Sequence, residues 1–304
     1  MFFSGNLWQK TDPTTGKPLS TNGVYVHNLA WIGNPADSKD MTTAQSVRFA
    51  LAEAYNRPEI AKQLTGGLGW PVQVEYVSPK DSHWQDKWNY GYHPDNSAQI
   101  LCGKDSTHPM PETTYVKDNV SAAQQKELCG NAFSTSLYAG PEFGGGQSIT
   151  GDVVDAVAGY WQDLGLTVFS LKYDYATFRP GVVGRTNTIP WVTSCDLGKS
   201  ALPWSAPKGA VETSLTRGGF ACGYESPEIY KLYTEETQTA DAQKRIDLVN
   251  QYVQYKYDQA LSPGIVAIPN LEVVNPKKIK SWDMTKTLFN FPTDLWNLEL
   301  QPGA

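Results

Sequence analysis

Ser148 stands in Gly146-Gln147-Ser148-Ile149-Thr150, a string that approaches the nucleophile elbow of a hydrolase, and Gly198-Lys199-Ser200 approaches the end of a phosphate-binding loop. Both fall short for physical reasons. An elbow needs glycine two places after the serine so that a strained strand-to-helix turn can close. Thr150 occupies that place, and Gly144 and Gly145 make the approach a slack link. A serine nucleophile also needs a base, and nothing in the sequence requires His83 or His93 to lie beside Ser148. In the phosphate-loop candidate, Thr193 stands where the first glycine belongs, and Pro203 interrupts the helix that should follow. Ser148 is kept as the centre of an alternative reading, an esterase-like hydrolase. Glu235-Glu236 reads as a solvated helix face. No metal motif is present, and no cofactor is expected.

The four cysteines carry a different chemistry. Cys102 with Cys129, and Cys195 with Cys222, close two loops of equal span, both rich in Gly, Pro and polar residues. Four cysteines allow three connectivities. The sequential pairing is favoured, because each bridge would staple a weakly ordered loop by about 3 kcal/mol in the chain-entropy model. A zinc site is the weaker alternative: there is no C-x-x-C, and no histidine stands at ligand spacing from a cysteine.

A net charge of −6 argues against nucleic acid or an anionic membrane as the main partner. At 304 residues and 40% hydrophobic content, the chain can bury one large core or two smaller ones. Ten Trp and sixteen Tyr are enough that some rings must line a surface or cleft. No run of apolar residues is long enough to span a bilayer, and Met1–Asn6 lacks the pattern of a signal peptide. The chain is therefore either cytoplasmic or a mature form or fragment whose export signal is gone. Paired cysteines favour the second, in an oxidising compartment.

The elements that must position these residues are clearest from Met41 to Pro79. Thr42 and Gln45 have capping-box spacing, and Ala44, Val47, Leu51, Ala54 and Tyr55 share one face, predicting a helix from near Thr43. Pro58 opens a second helix with Ile60 and Leu64 inward, ended by Gly66 or Gly67. Val72, Val74 and Tyr76 alternate as a strand. Asp95 caps a short helix to Leu101. Further on, Phe133–Ala139, a helix capped by Asp152, and a strand from Leu166 to about Lys172 make a βαβ unit with parallel strands. Residues 179–223 read as irregular. Ser226 and Asp241 cap two more helices, Ile265–Ile268 is extended, and the tail carries Trp282 and Trp296.

In this order, the elements resemble the C-terminal half of a family 5 extracellular solute-binding protein of ABC transporters, the peptide-, oligopeptide- and nickel-binding type. Val47-Arg48-Phe49-Ala50-Leu51-Ala52-Glu53-Ala54-Tyr55-Asn56-Arg57 is similar to the family's V-R-x-A-L-x-x-A-I-D-R helix, with Asn56 in place of its Asp, and Gly66–Gly69 to its glycine turn. Leu164-Gly165-Leu166-Thr167-Val168 resembles its helix-to-strand junction, Tyr173–Phe178 its aromatic segment, and Lys244–Pro276 its last helix, strand and N-P turn.

The resemblance implies an α/β fold, a periplasmic-binding-protein-like lobe with a mixed sheet flanked by helices, plus crossing strands belonging to a second lobe. Residues 41–262 would form the lobe, while 1–40 and 263–304 would run to a first lobe that is otherwise absent. It implies capture of a small solute in an interlobe cleft and delivery to a membrane permease. The full-length form would be periplasmic or extracellular, lipid-anchored or secreted. Exposed strand edges would allow a homodimer. The segment Trp191-Val192-Thr193-Ser194-Cys195-Asp196 resembles the family's cleft-facing W-x-A-D-Y, so Trp191 is expected as an aromatic wall and Asp196 as the acid that meets a ligand's positive charge. Trp204 and Arg217 are further candidates, and Arg48 is expected to anchor the lobe rather than clamp a ligand.

The cysteine pairing is open to direct measurement. Mass spectrometry of non-reduced protein recovered from an oxidising compartment should find no free thiol; four free thiols would remove the disulfide argument.

Overall fold

The computed structural model describes residues 1–5, 11, 16–18, 29–75, 77–80, 83–102, 134–142, 149–184, 186–194, 226–268, 274–282 and 298–303. Helix α1 spans Ser38–Glu53 and opens on Asp37, whose carboxylate accepts from the backbone N–H groups of Lys39 and Asp40. The capping box at Thr42 and Gln45 predicts a later start. It is overridden because Asp37 already satisfies the first free donors, and the Thr42 and Thr43 hydroxyls donate back to the carbonyls of Ser38 and Lys39. Helix α2, Arg57–Thr65, follows the prediction closely. Asn56 caps it by accepting from the Glu59 N–H at 3.0 Å, Pro58 lies in the first turn, and Gly66 ends it at φ 61°.

The strand predicted at residues 72–76 is displaced. β1 is Trp70–Pro71, paired antiparallel with β5, Val266–Ala267. The chain then turns back on itself, with Val77 N–H donating to the Val74 carbonyl, so the alternation ends although Val72 and Val74 stay buried.

After α3, Pro94–Cys102, the expected βαβ unit is present: β2 (Ser134–Glu142), α4 (Thr150–Asp163) and β3 (Thr167–Leu171), with the strands parallel. Asp152 lies in the first turn of α4 rather than at its cap. Two elements fall where the sequence shows no regular pattern: α5, Tyr175–Val183, and β4, Trp191–Ser194. β4 pairs parallel with the other side of β2, giving a sheet of order β3-β2-β4. Helix α6, Pro227–Gln238, starts at the Ser226 cap, and α7, Ala242–Asp258, at the Asp241 cap, both as predicted. Glu236 departs from expectation. It continues the inward row Ile229, Leu232, Tyr233 at helical spacing, is buried, and accepts from Arg245 Nε at 3.3 Å; Glu235 alone is exposed. A last antiparallel pair joins β6, Ile279–Trp282, to β7, Leu298–Leu300. Among the described residues, no helix is long and apolar enough to cross a membrane.

One core lies between α1, α4 and the sheet, with Val47, Leu51, Val154, Val157 and Trp161 against Leu137, Val168 and Val192. Phe3, Trp31 and Ile32 belong to this same core, although the sequence assigns residues 1–40 little core of their own. A second core joins α6 and α7 to Phe49, Trp88 and Tyr90.

Buried polar side chains of the first helices lock the return segment in place. The end of α7 leaves carbonyls without helical partners. Gln45 Nε2 donates to Asp258 O at 2.8 Å, Arg48 Nε to Gln259 O at 2.8 Å, and the Tyr90 hydroxyl to Tyr257 O at 3.1 Å. Arg48, fully buried, also donates to Trp31 O, which makes it the anchor expected from the sequence. Arg57 donates to Gly264 O, Ala52 O and the Tyr55 hydroxyl, each at 2.8 Å, with its guanidinium 4.2 Å from the centre of the Tyr55 ring. Gly264 itself is pressed against β1's continuation: a Cβ there would lie 2.5 Å from Val72 Cγ1 and 2.9 Å from Val72's carbonyl carbon and oxygen.

Replacing Arg57 with Ala strands the Ala52 carbonyl, leaves the Gly264 carbonyl only the Tyr55 hydroxyl at 3.3 Å and opens a cavity in the core, and should cost about 3 kcal/mol. The check is the urea midpoint at constant m value. A loss below about 1 kcal/mol would mean that these groups find other partners.

Candidate ligand-binding site

The alternation of side chains along the three parallel strands divides the sheet into two faces. Leu137, Val168 and Val192 point to α4, so Tyr138 and Trp191 point to the opposite face, where Phe178 and Val182 of α5 cover them. The chain therefore leaves β2 for β3 on one side, then crosses back to β4 on the other. In open parallel sheets, the crevice at the carboxyl ends of the strands beside such a reversal is the usual ligand site. Here Tyr138, at the middle of β2, stands in register with Leu171 at the carboxyl end of β3 and with Trp191 at the start of β4.

Aromatic rings crowd this face of the sheet. Tyr138 stacks on Phe178 with centroids 3.9 Å apart and lies 4.8 Å from Tyr173. Trp191 is held by Phe2 at 5.2 Å, Phe178 at 5.8 Å and a stacked Tyr175 at 6.4 Å. Phe2 and Trp191 also exchange both backbone hydrogen bonds, at 2.8 and 3.1 Å. Gly140 lets β2 approach this tryptophan: a Cβ there would meet Trp191 Cε3 at 2.8 Å. The Tyr138 hydroxyl donates to Tyr173 O at 2.9 Å, and burial, reinforced by Tyr173, Asp174 and Tyr175, pushes its pKa up to about 12, so it remains a neutral donor. Asp174 is committed to capping α5 through the Ala176 N–H.

Two features of this cluster stand apart, one exposed and one buried. Tyr173 is 40% exposed and lies against Tyr138, so it presents an open aromatic shelf. Trp191 is 2% exposed, and its indole N–H is buried with no acceptor. The indoles of Trp31, Trp161 and Trp88 each donate at 3.0 Å, to Ser4 O, Leu51 O and Gln254 Oε1. An unpaired buried donor costs about 1–3 kcal/mol, so the Trp191 N–H, like that of Trp70, is carried at a cost to stability.

Of the residues expected from the sequence, Trp191 is found at the start of β4, enclosed by other rings rather than lying open. Asp196, Trp204, Arg217 and the alternative nucleophile Ser148 lie outside the described residues, as do Cys129, Cys195 and Cys222; Cys102 ends α3, with its side chain outside them. Tyr138, Tyr173, Tyr175 and Phe178 were not singled out as site residues. Their signal was present in part: Ser136 and Tyr138 alternate with Thr135 and Leu137, and Tyr173–Phe178 is conspicuously aromatic.

The sequence matches no family model and no curated protein. Solved structures do share the fold. HbpA2 of Haemophilus parasuis superposes with a TM-score of 0.56 at 13% identity, over 88% of this chain and 47% of its own. The ABC transporter substrate-binding protein CtaP of Listeria monocytogenes gives 0.54 at 14%, over 84% and 47%. The oligopeptide-binding protein AppA of Bacillus subtilis, solved with a nonapeptide, gives 0.50 at 15%, over 89% and 50%. These likenesses establish an α/β fold of the periplasmic-binding-protein type. The chain spans half or less of the length of these structures.

The role of the Trp191 ring can be separated from that of its N–H. Trp191→Phe keeps most of the packing and removes the unpaired donor, so stability should be unchanged or slightly higher. Trp191→Ala should cost about 3–5 kcal/mol through the cavity it leaves. Equal losses in both variants, read by chemical unfolding, would mean that the N–H is paired in solution.

Proposed function

We propose that this chain belongs to the family 5 extracellular solute-binding proteins and forms one lobe of the solute-capturing component of an ABC importer. Residues 41–262 make up the lobe, and residues 1–40 and 263–304 connect it to a second lobe. The solute lies against the carboxyl ends of β2, β3 and β4 and is handed on to a membrane permease outside the cytoplasm. The observation that carries this reading is the juxtaposition, at the switch point of a parallel sheet, of an exposed tyrosine shelf and a buried, unused indole donor. The shared fold supports it, since the structures with that fold include an ABC transporter substrate-binding protein and an oligopeptide-binding protein.

In this arrangement Tyr173 gives an apolar or planar part of the solute a surface to lie on, while Tyr138 and Phe178 hold the shelf from beneath, Phe178 resting in turn on Trp191. Asp196, two residues beyond the carboxyl end of β4, pairs with a positive group on the solute, and Trp204 and Arg217 add contacts from the segment that follows. Peptide-like solutes suit this combination of aromatic surface and acid. Closure of a second lobe would exclude water and strengthen each polar contact.

The test is a thermal-shift screen of the two-lobed full-length protein against short peptides, sugars and metal complexes, followed by calorimetry on the hits. A peptide-like hit should raise the melting temperature in proportion to the logarithm of its concentration. Tyr173→Ala should then weaken binding about tenfold, roughly the worth of one aromatic contact, with little change in the melting temperature of the free protein. A screen without any hit, or a Tyr173→Ala protein with unchanged affinity, would falsify the assignment of the site.

A further inference from the structure

Glu53 is the last residue of α1, and it is fully buried. Its Oε1 accepts from Asn96 Nδ2, in the first turn of α3, while Oε2 is buried with no partner. The nearest cation does not form an ion pair with it: each nitrogen of Arg57 donates elsewhere, to Gly264 O, Ala52 O and the Tyr55 hydroxyl. The other titratable groups gathered here are Tyr55, Tyr90 and Tyr257, with His93 just ahead of α3, and burial raises Tyr55 and pushes Tyr257 up to about 12. Burial holds His93 below its ordinary value, so it brings no charge at neutral pH. An ionised Glu53 would therefore be a buried carboxylate with half of its acceptor capacity unused, at the negative end of its own helix dipole.

The same residue is where α3 fastens to α1. His93 N–H donates to the Glu53 carbonyl at 2.9 Å, Asn96 to the Glu53 carboxyl, and Ser97 Oγ to Ala50 O at 2.8 Å. We propose that Glu53 is a proton-coupled latch: α3 docks on α1 more tightly when the Glu53 carboxyl is protonated, and undocking releases that proton to solvent. The carboxylic acid suits the docked geometry, because its carbonyl oxygen accepts from Asn96 and its other oxygen carries the hydrogen in place of a charge. The latch is independent of what the chain binds.

The direction of the pH response follows. Desolvation raises the Glu53 pKa from 4.5 to about 8, more than the Asn96 hydrogen bond and the Arg57 charge lower it. When α3 is docked the acid keeps its proton up to about pH 8, and when α3 is released and water reaches the carboxyl its pKa falls toward the ordinary 4.5. Docking is thus strongest below the lower value and weakens as pH rises through the window between them, levelling off above the higher one. Acidification tightens the junction and mild alkali loosens it.

Hydrogen exchange of the α3 amides, expressed as protection factors and measured from about pH 5 to about pH 9, reads this coupling. Protection in the wild type should fall by up to about tenfold per pH unit and flatten near pH 8, while Glu53→Gln, which mimics the neutral acid, should be flat throughout. Carbon NMR of the labelled Glu53 carboxyl in the wild type gives an answer even if the variant does not fold. Its shift should move near pH 8. A carboxyl already ionised at about pH 6, or a Glu53→Gln protein with the wild-type pH profile, would overturn the proposal.

Discussion

Two buried guanidinium groups, those of Arg48 and Arg57, meet the backbone carbonyls of the segment that follows α7, and the rest of the structure is arranged around that contact. The helix α7 ends against α1, and its last carbonyls, which have no helical partners, accept from side chains there. Arg48 lies at that end, where its charge is favoured by the helix dipole, and Arg57 takes the carbonyl of Gly264 five residues on. Arg48 donates to the carbonyls of Gln259 and Trp31, and Arg57 to those of Gly264 and Ala52, so each spreads its charge over backbone oxygens. Contact between the N-terminal helices and β5 then brings β1 into register and sets the floor on which α3 and α4 rest.

This frame was partly legible in the sequence, and the parts that were not share a cause. α2 could be read residue by residue, because Asn56, Pro58 and Gly66 each act locally, through one hydrogen bond, one missing donor and one left-handed turn. The βαβ unit was legible for a similar reason: its helix has a long apolar face and its strands are contiguous with it. The start of α1 was misplaced because two capping signals compete, and the sequence does not say that Asp37 prevails over Thr42. α5 and β4 have no local signature. α5 contains Pro180 and Gly181, and β4 is only four residues long; both depend on partners distant in the chain, chiefly Phe2 and Tyr138. Tertiary packing, rather than local preference, makes them regular.

The candidate site shows the same division. Trp191 was reached by resemblance, and the residues that enclose it were not, because a ring that packs across a sheet face leaves no spacing signal in one strand. Tyr138 could be recognised as important only once β2 was known to be central, with β3 and β4 on its two sides. The buried, unpaired N–H of Trp191 is a property of the assembled cluster and has no counterpart in the sequence. Glu53 is a parallel case. As a glutamate near the end of an amphipathic helix it looks ordinary, and only the arrival of α3 over it turns it into an enclosed acid.

Gly264 shows what such packing does to the range of sequences that can encode the fold. Its carbonyl must stay within reach of Arg57 Nε, and its α-carbon must lie against Val72. A side chain at 264 would collide with the Val72 methyl, and a smaller residue at 72 would remove that collision. It would not remove the one with the carbonyl carbon and oxygen of residue 72, which every residue carries. Compensation between the two positions is therefore blocked by the main chain. Among sequences that keep this strand geometry, position 264 should be fixed as glycine, whereas position 72 is free to vary among small apolar residues without any covariation between the two.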